Sequence, residues 1–236
     1  MLTILLYNSG LELLNSLTKK ELNHPSIKND IKRRKKDVNK ILLDLVIHQP
    51  ALLSNSKLNR GRPDIVHICL LQYLFSPLVL ENKNDLKFII HSVNDTYFEV
   101  PHSWRPPTHF YRFRGLMEQF LERKKLKVSN KEKMTLQEGS VEDVLGKLQF
   151  EKVIAFTSHG ESIGMQEFSE KMSSYLVQDS NFIILIGGFQ HGGIPENIAE
   201  LLKTKSNVEK ITLPGGRLPS WKVLSNILYV IEMKHI

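Results

Sequence analysis

Two groups of residues in this 236-residue chain have types and spacing suited to chemistry. The first is a pair of glycine-rich segments, each following a short apolar run. They are Gly187-Gly188-Phe189-Gln190-His191-Gly192-Gly193 and Leu213-Pro214-Gly215-Gly216-Arg217-Leu218. Glycine lets backbone approach a ligand closely and supplies positive φ. No Lys-Ser/Thr pair follows the glycines, as a P-loop requires. No GxGxxG opens a helix with an acidic residue about twenty positions on, as a dinucleotide site requires. Two readings stay open: a nucleotide-like ligand gripped by backbone, and plain tight turns between packed elements.

The second group is a set of arginines. Arg60 and Arg62 lie in NRGRPD; Arg105, Arg112 and Arg114 lie in WRPPTHFYRFRG. Guanidinium forks bind phosphate bidentately and stack on bases. Pro106 and Pro107 stiffen the chain after Arg105, and Thr108 suits the N-cap of the helix that follows. On that helix Phe110, Phe113, Met117 and Phe120 form one apolar stripe flanked by Arg112. Trp104, Phe110 and Tyr111 offer faces on which unpaired bases could stack, although Phe110 suits a core position better. Asp64, two residues after Arg62, either holds that arginine in one orientation or acts as a general base; the positioning role is preferred.

Other chemistry is excluded. The nine histidines include no HExxH or paired spacing, so no metal is expected. The single cysteine, Cys69, can form no internal disulfide and has no activating neighbour, and no GxSxG occurs. The opening apolar run is too short to span a bilayer and has no basic flank, so a soluble protein of the reducing cytoplasm, without a membrane partner, is expected. Apolar residues make up 41% and charged residues 24%, as in an ordinary globular protein. The net charge of +7 favours an acidic partner, with nucleic acid foremost.

The elements that must position these groups follow from the hydrophobic periods. Residues 2–7 read as a buried strand and 11–24 as a possible helix. The charge run from Lys28 to Lys40 reads as a solvated helix start or as a phosphate-tracking patch. Leu42, Leu43, Leu45 and Val46 predict an amphipathic helix that stops before Pro50. Residues 54–64 read as loop and 64–75 as an apolar helix ended by Ser76-Pro77. LKFIIHSV and TYFEV form a hairpin across Asn94-Asp95. A helix then runs to about Leu126, and residues 127–140 read as polar loop with a short helical piece. From Gln149 onward, three apolar strands alternate with helical patterns, and a last helix closes the chain. That alternation implies a parallel sheet covered by helices, with ligands beyond the carboxyl ends of the strands.

With RGRPDIVH, RPPTHFYRFRGLMEQ and LIGGFQHG in this order, the sequence resembles the Nep1/Emg1 family of ribosomal RNA pseudouridine N1-methyltransferases, of the SPOUT class. The absence of a eukaryotic-type N-terminal extension suggests an archaeal member. The resemblance covers most of the chain. It implies one α/β domain over residues 1–236, with a SPOUT-type parallel sheet, helices on both faces and a C-terminal trefoil knot. RNA-binding segments are expected at about 55–125 and a cofactor-binding knot at about 150–236. It further implies a homodimer that takes S-adenosyl-L-methionine bent in the knot and acts on small-subunit ribosomal RNA. The cofactor contacts carried over are Gly187, Gly192 and Leu213, Pro214, Gly215, Gly216, Arg217 and Leu218. From the TSHGES loop, Glu161 is added, with Ser158 as the alternative. The RNA contacts are Arg62, Arg105 and Arg112, with Asp64 orienting Arg62. Thr108 stands where many relatives carry a further arginine, a loss for which Arg114 could compensate. The loop LPGGRLPSW also departs from the usual Asn-Tyr-Pro-Leu-Ser form.

The expected activity is methyl transfer from S-adenosylmethionine to N1 of a pseudouridine in small-subunit ribosomal RNA, in ribosome biogenesis. Two alternatives accompany it: an assembly factor that chiefly binds RNA, and a methyltransferase for another RNA such as tRNA.

Overall fold

The structure is a computed structural model that describes residues 1–52, 59–81, 86–130, 132–177, 181–189, 194–204 and 207–235. Its strands are β1 (Leu2–Ser9), β2 (Leu86–Ser92), β3 (Thr96–Glu99), β4 (Lys125–Lys127), β5 (Lys133–Thr135), β6 (Gln137–Glu138), β7 (Lys152–Ser162), β8 (Phe182–Gly187) and β9 (Val208–Thr212). Its helices are α1 (Lys19–Leu22), α2 (Pro25–Arg34), α3 (Leu45–His48), α4 (Pro63–Leu74), α5 (Pro77–Leu80), α6 (Phe110–Arg123), α7 (Val141–Lys147), α8 (Met165–Val177), α9 (Glu196–Lys203) and α10 (Ser220–His235).

Seven strands form one sheet in the order β6-β3-β2-β1-β8-β7-β9 among the described residues. The run β2-β1-β8-β7-β9 is parallel throughout; β3 alone runs against it, pairing antiparallel with both β2 and β6. The period of two sorts side chains to the two faces. Leu2, Ile4 and Leu6 of β1, with Phe182, Ile184 and Ile186 of β8, face a core shared with α4, α6, α8 and α10. Leu5 and Tyr7, with Ile183 and Leu185, face a second core under α7 and α9. Strands buried on both faces read as continuous apolar runs, which explains KVIAF and NFIILI. The expected mostly parallel sheet with helices on both faces is therefore present.

The N-terminal third departs from expectation. Residues 11–24 do not form one helix. A 3-10 turn at Leu14–Ser16 is followed by α1, whose capping box joins Thr18 and Glu21, and then by α2. The amphipathic helix expected over Leu42–Val46 is only the single turn α3. Leu42 instead bridges Leu13, and Leu42 and Leu43 are fully buried while Val46 is 93% exposed. Burying each leucine contributes about 1.5–3 kcal/mol, so an extended path that buries both outweighs a helix that would turn one outward. The basic run after Lys28 is mostly exposed, with Lys32 and Arg33 on the solvated end of α2, but part of it is tied down internally. Glu118 of α6, nearly inaccessible, accepts from Arg34 Nη2 at 2.6 and 2.7 Å, Lys36 Nζ at 2.8 Å and the Leu42 amide at 3.2 Å. A buried carboxylate persists only when so satisfied. Residues 127–140, expected to be loop with a helical piece, form the β4–β5 hairpin and the edge strand β6.

Candidate functional site

Strands β1, β7, β8 and β9 end together at one edge of the sheet. There they surround a cavity of about 590 Å³, within the usual range for small-molecule sites. Three features of local sequence shape it. First, β7 carries a large bulge: Phe156 and Glu161 both pair with Ile211 of β9, so Thr157–Gly160 loop out of the ladder. Thr212 pins that loop. Its Oγ1 donates to the Thr157 carbonyl at 2.6 Å and accepts from the Gly160 amide at 3.0 Å. Second, the chain after β9 turns through Gly215 at φ 97° and Gly216 at φ 72°, conformations that L side chains rarely adopt. Third, α10 starts beneath the floor, where Ser220 Oγ donates to the Gly187 carbonyl.

Of the expected cofactor contacts, Gly187, Leu213, Gly216, Arg217 and Leu218 line this cavity. Among the described residues Pro214 and Gly215 do not; they form the turn that presents Gly216. Glu161 lies past the bulge, exposed and away from the lining, whereas Ser158, the alternative, is in the wall beside His159. The bulge accounts for the difference, because it aims Thr157–His159 inward and returns Glu161 to the ladder. Gly192 lies outside the described residues.

Arg62 is in the same wall, 125 positions before Gly187. It sits at the N-cap of α4, and its amide donates to the Gly10 carbonyl at 3.0 Å. A Cβ on Gly10 would stand 2.7 Å from that amide, so only glycine permits this approach. Asp64 grips the guanidinium bidentately, Nε to Oδ1 at 2.8 Å and Nη2 to Oδ2 at 2.7 Å. That bond holds Arg62 even more firmly charged than usual. Both Asp64 oxygens are engaged, so the geometry favours the positioning role over that of a base.

One turn along α4, His67 ties this arginine to the others. Its Nε2 donates to the Pro107 carbonyl at 2.8 Å, and its ring stacks on Phe113 of α6 at 4.4 Å. Burial depresses its pKa, partly offset by the Pro107 bond, and because that carbonyl can only accept, Nε2 carries a proton. The segment before α6 is thereby held against α4. Arg105 is exposed, with Nη1 donating to the carbonyls of His102 and Trp104 at 2.6 and 2.7 Å. Arg112 is exposed on the first turn of α6. Neither lines the cavity; both face solvent.

Several expectations are corrected. The N-cap of α6 is His109, without a side-chain cap bond, and Thr108 is an exposed residue ahead of it. Trp104 is only 4% exposed and belongs to the core, so it offers no stacking face; Tyr111, 65% exposed, does. Arg60 is not a surface arginine either: Glu12 takes it in an ion pair at 2.7 Å. Arg114 pairs with Asp44 at 3.5 Å and lies over the Tyr111 ring, which occupies the residue considered as a substitute for the arginine missing at Thr108. The sequence reading missed Gly10, Thr212 and Tyr7. Tyr7 lines the cavity edge-on to Phe189, and burial pushes its hydroxyl well above the usual range. A glycine just after the first strand was the available signal for Gly10; Thr212 and Tyr7 gave none beyond their place at strand ends.

The sequence model of the EMG1/NEP1 methyltransferase family matches residues 4–232. The chain belongs to the EMG1/NEP1 methyltransferase family. Among curated relatives, the ribosomal RNA small subunit methyltransferase Nep1 of Pyrococcus furiosus is 31% identical over 237 aligned positions, covering 100% of this chain and 98% of its own. That of Staphylothermus marinus is 33% identical, covering 98% and 95%. A solved member, Archaeoglobus fulgidus Nep1 bound to S-adenosylhomocysteine, superposes with a TM-score of 0.79 at 28% identity, over 99% of this chain and 98% of that one. Among the described residues of this EMG1/NEP1 member, no helix is long and apolar enough to cross a membrane, and no cluster of His, Cys, Asp or Glu suits a metal ion.

Proposed function

We propose that this chain is a methyltransferase that uses S-adenosyl-L-methionine and acts on small-subunit ribosomal RNA, at N1 of a pseudouridine. The observation that carries the reading is the placement of Arg62, clamped by Asp64, in the wall of the cavity built by the glycine turns. An RNA-directed guanidinium and a backbone-built pocket thus share one space. The pocket suits the cofactor by its chemistry: apolar walls from Phe156, Ile211 and Leu213, with the backbone of Gly187 and Gly216 in the lining. S-adenosylmethionine supplies an activated methyl on a sulfonium.

The chain's own contribution is positioning and charge. N1 of a pseudouridine bears a proton that must leave as the new bond forms. A fixed cation at Arg62 lowers the cost of the anionic base. Holding the reacting atoms in line can supply much of the rate. The target must leave any stack to reach the cavity, so a flipped nucleotide is expected. Arg105, Arg112 and Tyr111 face solvent and suit the flanking strand. The homodimer and the trefoil knot over about 150–236 belong to the same proposal. Family membership supports both, and the exposed apolar side chains Phe75, Leu80, Tyr229 and Met233, on the neighbouring elements α4, α5 and α10, support a second copy. A cytoplasmic setting suits the buried Cys69 thiol.

Methyl transfer from tritiated S-adenosylmethionine tests the reading. Label is expected on a ribosomal RNA fragment carrying pseudouridine and not on the same fragment carrying uridine. Label on neither would favour a binding-only assembly factor, and label on tRNA would move the substrate.

A further inference from the structure

The segment after α6 alternates strictly. On β4, Leu126 points inward while Lys125 and Lys127 point out; on β5, Met134 is buried while Lys133 and Thr135 are exposed. The register pairs Lys125 with Thr135, Leu126 with Met134 and Lys127 with Lys133. Three lysines therefore share one face of a two-stranded hairpin, and two of them stand directly opposite each other. Like charges so placed are destabilising. The acids nearby do not relieve them: Glu138 is taken by Lys124 at 2.8 Å, Glu122 by Lys40 at 3.2 Å, and Glu132 accepts from Ser103 Oγ. Among the described residues Arg123, Lys125, Lys127 and Lys133 have no ion pair. Lysine on exposed strands often serves only to keep edges from pairing. Edge protection does not call for an opposed like-charged pair on a face, however.

The Ser103–Glu132 hydrogen bond decides where this face lies. It fastens the hairpin turn two residues before Arg105. The hairpin that carries the lysine face is thus fastened beside the segment that carries Arg105. We propose that the β4–β5 hairpin is a second RNA-contacting platform, on which Lys125, Lys127 and Lys133 track the phosphates of the strand flanking the target nucleotide. This rests on the ribosomal RNA reading above. A polyanion laid along the hairpin removes the repulsion that the bare protein retains, which an isolated acidic side chain would do only in part.

The test is the Lys125→Gln, Lys127→Gln, Lys133→Gln triple variant of the full chain. Its side chains are exposed, so the fold is expected to persist, with a melting temperature unchanged or slightly raised. Binding of a long ribosomal RNA fragment is measured against salt concentration. Each phosphate deprived of its lysine lowers the slope of log K against log salt by about 0.7–0.9, so the triple variant should lose about 2–3 from the slope and at least about tenfold in affinity at low salt. S-adenosylhomocysteine binding and methyl transfer to a minimal loop oligonucleotide should stay at the wild-type level. A slope equal to the wild type would overturn the platform while leaving the methyltransferase reading intact. Absence of RNA binding by the wild type would overturn both. Affinity lost for anionic lipid vesicles but not for RNA would overturn the platform in favour of a membrane surface.

Discussion

The two halves of the site are built from different materials. Around the cavity, the shaping groups are backbone: the β7 bulge, the Gly215-Gly216 turn and the carbonyl of Gly187. On the RNA side they are side chains joined in series, Asp64 to Arg62 and His67 to Pro107 and Phe113. A backbone-built wall fails when atoms are added, because neighbouring main chain cannot move aside. A chain of side chains fails when atoms are removed, because each member orients the next. Substitutions should therefore separate the halves by their direction, insertion of bulk against deletion of a group.

The largest effect is expected where bulk meets main chain. A Cβ at Gly160 would stand 2.6 Å from the Ile211 amide nitrogen and the Lys210 carbonyl carbon. Gly160→Val cannot be absorbed by a flexible side chain, and overpacking of this kind costs up to about 3 kcal/mol. Calorimetry should show S-adenosylhomocysteine binding weakened by about a hundredfold, with RNA affinity changed by less than about threefold. Undiminished cofactor binding would mean that the bulge does not shape the pocket.

Next comes Arg62. Removing it deletes a charge-assisted contact of about 1.5–3 kcal/mol and exposes the Asp64 carboxylate to RNA phosphates. Arg62→Ala should weaken RNA binding by about 30- to 100-fold while cofactor binding persists. Arg62→Lys keeps the charge but loses the fork that fits Asp64, and should fall between. Equal losses of RNA and cofactor affinity would erase the division between the halves. A smaller effect belongs to His67, which touches no ligand. His67→Ala forfeits the Phe113 stack and the Pro107 bond, so the Arg105 segment is held less tightly. RNA affinity should drop about three- to tenfold, with methyl transfer to a minimal oligonucleotide unchanged; a loss on both substrates would show general unfolding instead.

The same contrast explains what the amino-acid order made legible. The strands β1, β7 and β8 are legible because each holds an apolar run: TILLY, VIAF and FIILI. The N-terminal third misleads because Leu42, Leu43, Leu45 and Val46 fit a helix locally, while tertiary burial of Leu42 and Leu43 demands extended chain. Trp104 and Arg60 fit RNA recognition by type, yet Trp104 is core and Arg60 is taken by Glu12; residue type alone does not report its partner. The β7 bulge is invisible in TSHGES because its cause lies in Thr212, some fifty residues on. The family resemblance aligns Glu161 with the contact and leaves Ser158 as the alternative; the bulge puts Ser158, not Glu161, in the cavity wall. Arg62 and Asp64 are legible because their coupling is local, two positions apart.

Acid should separate the halves by pH. His48, His67 and His91, all before residue 100, have pKa values lowered chiefly by burial. Unfolding frees them to bind protons near pH 6.5. Their neutral burial is therefore without penalty above about pH 6.5, and stability declines as pH falls below that value toward their folded pKa values. The C-terminal sheet edge behaves otherwise. Burial raises the Glu209 pKa, but hydrogen bonds from Lys152, Tyr175 and Lys171 outweigh it and bring the carboxyl to about 2. The stability linked to Glu209 is full above the ordinary carboxylate range and is lost only as pH falls from there toward about 2. Hydrogen exchange across pH 7 to 4.5 should show amides of α4 and the Arg105 segment opening first, while β7 and β9 stay protected. His67→Phe should blunt the early phase alone, and simultaneous opening of both regions near pH 6 would show that they melt as one unit.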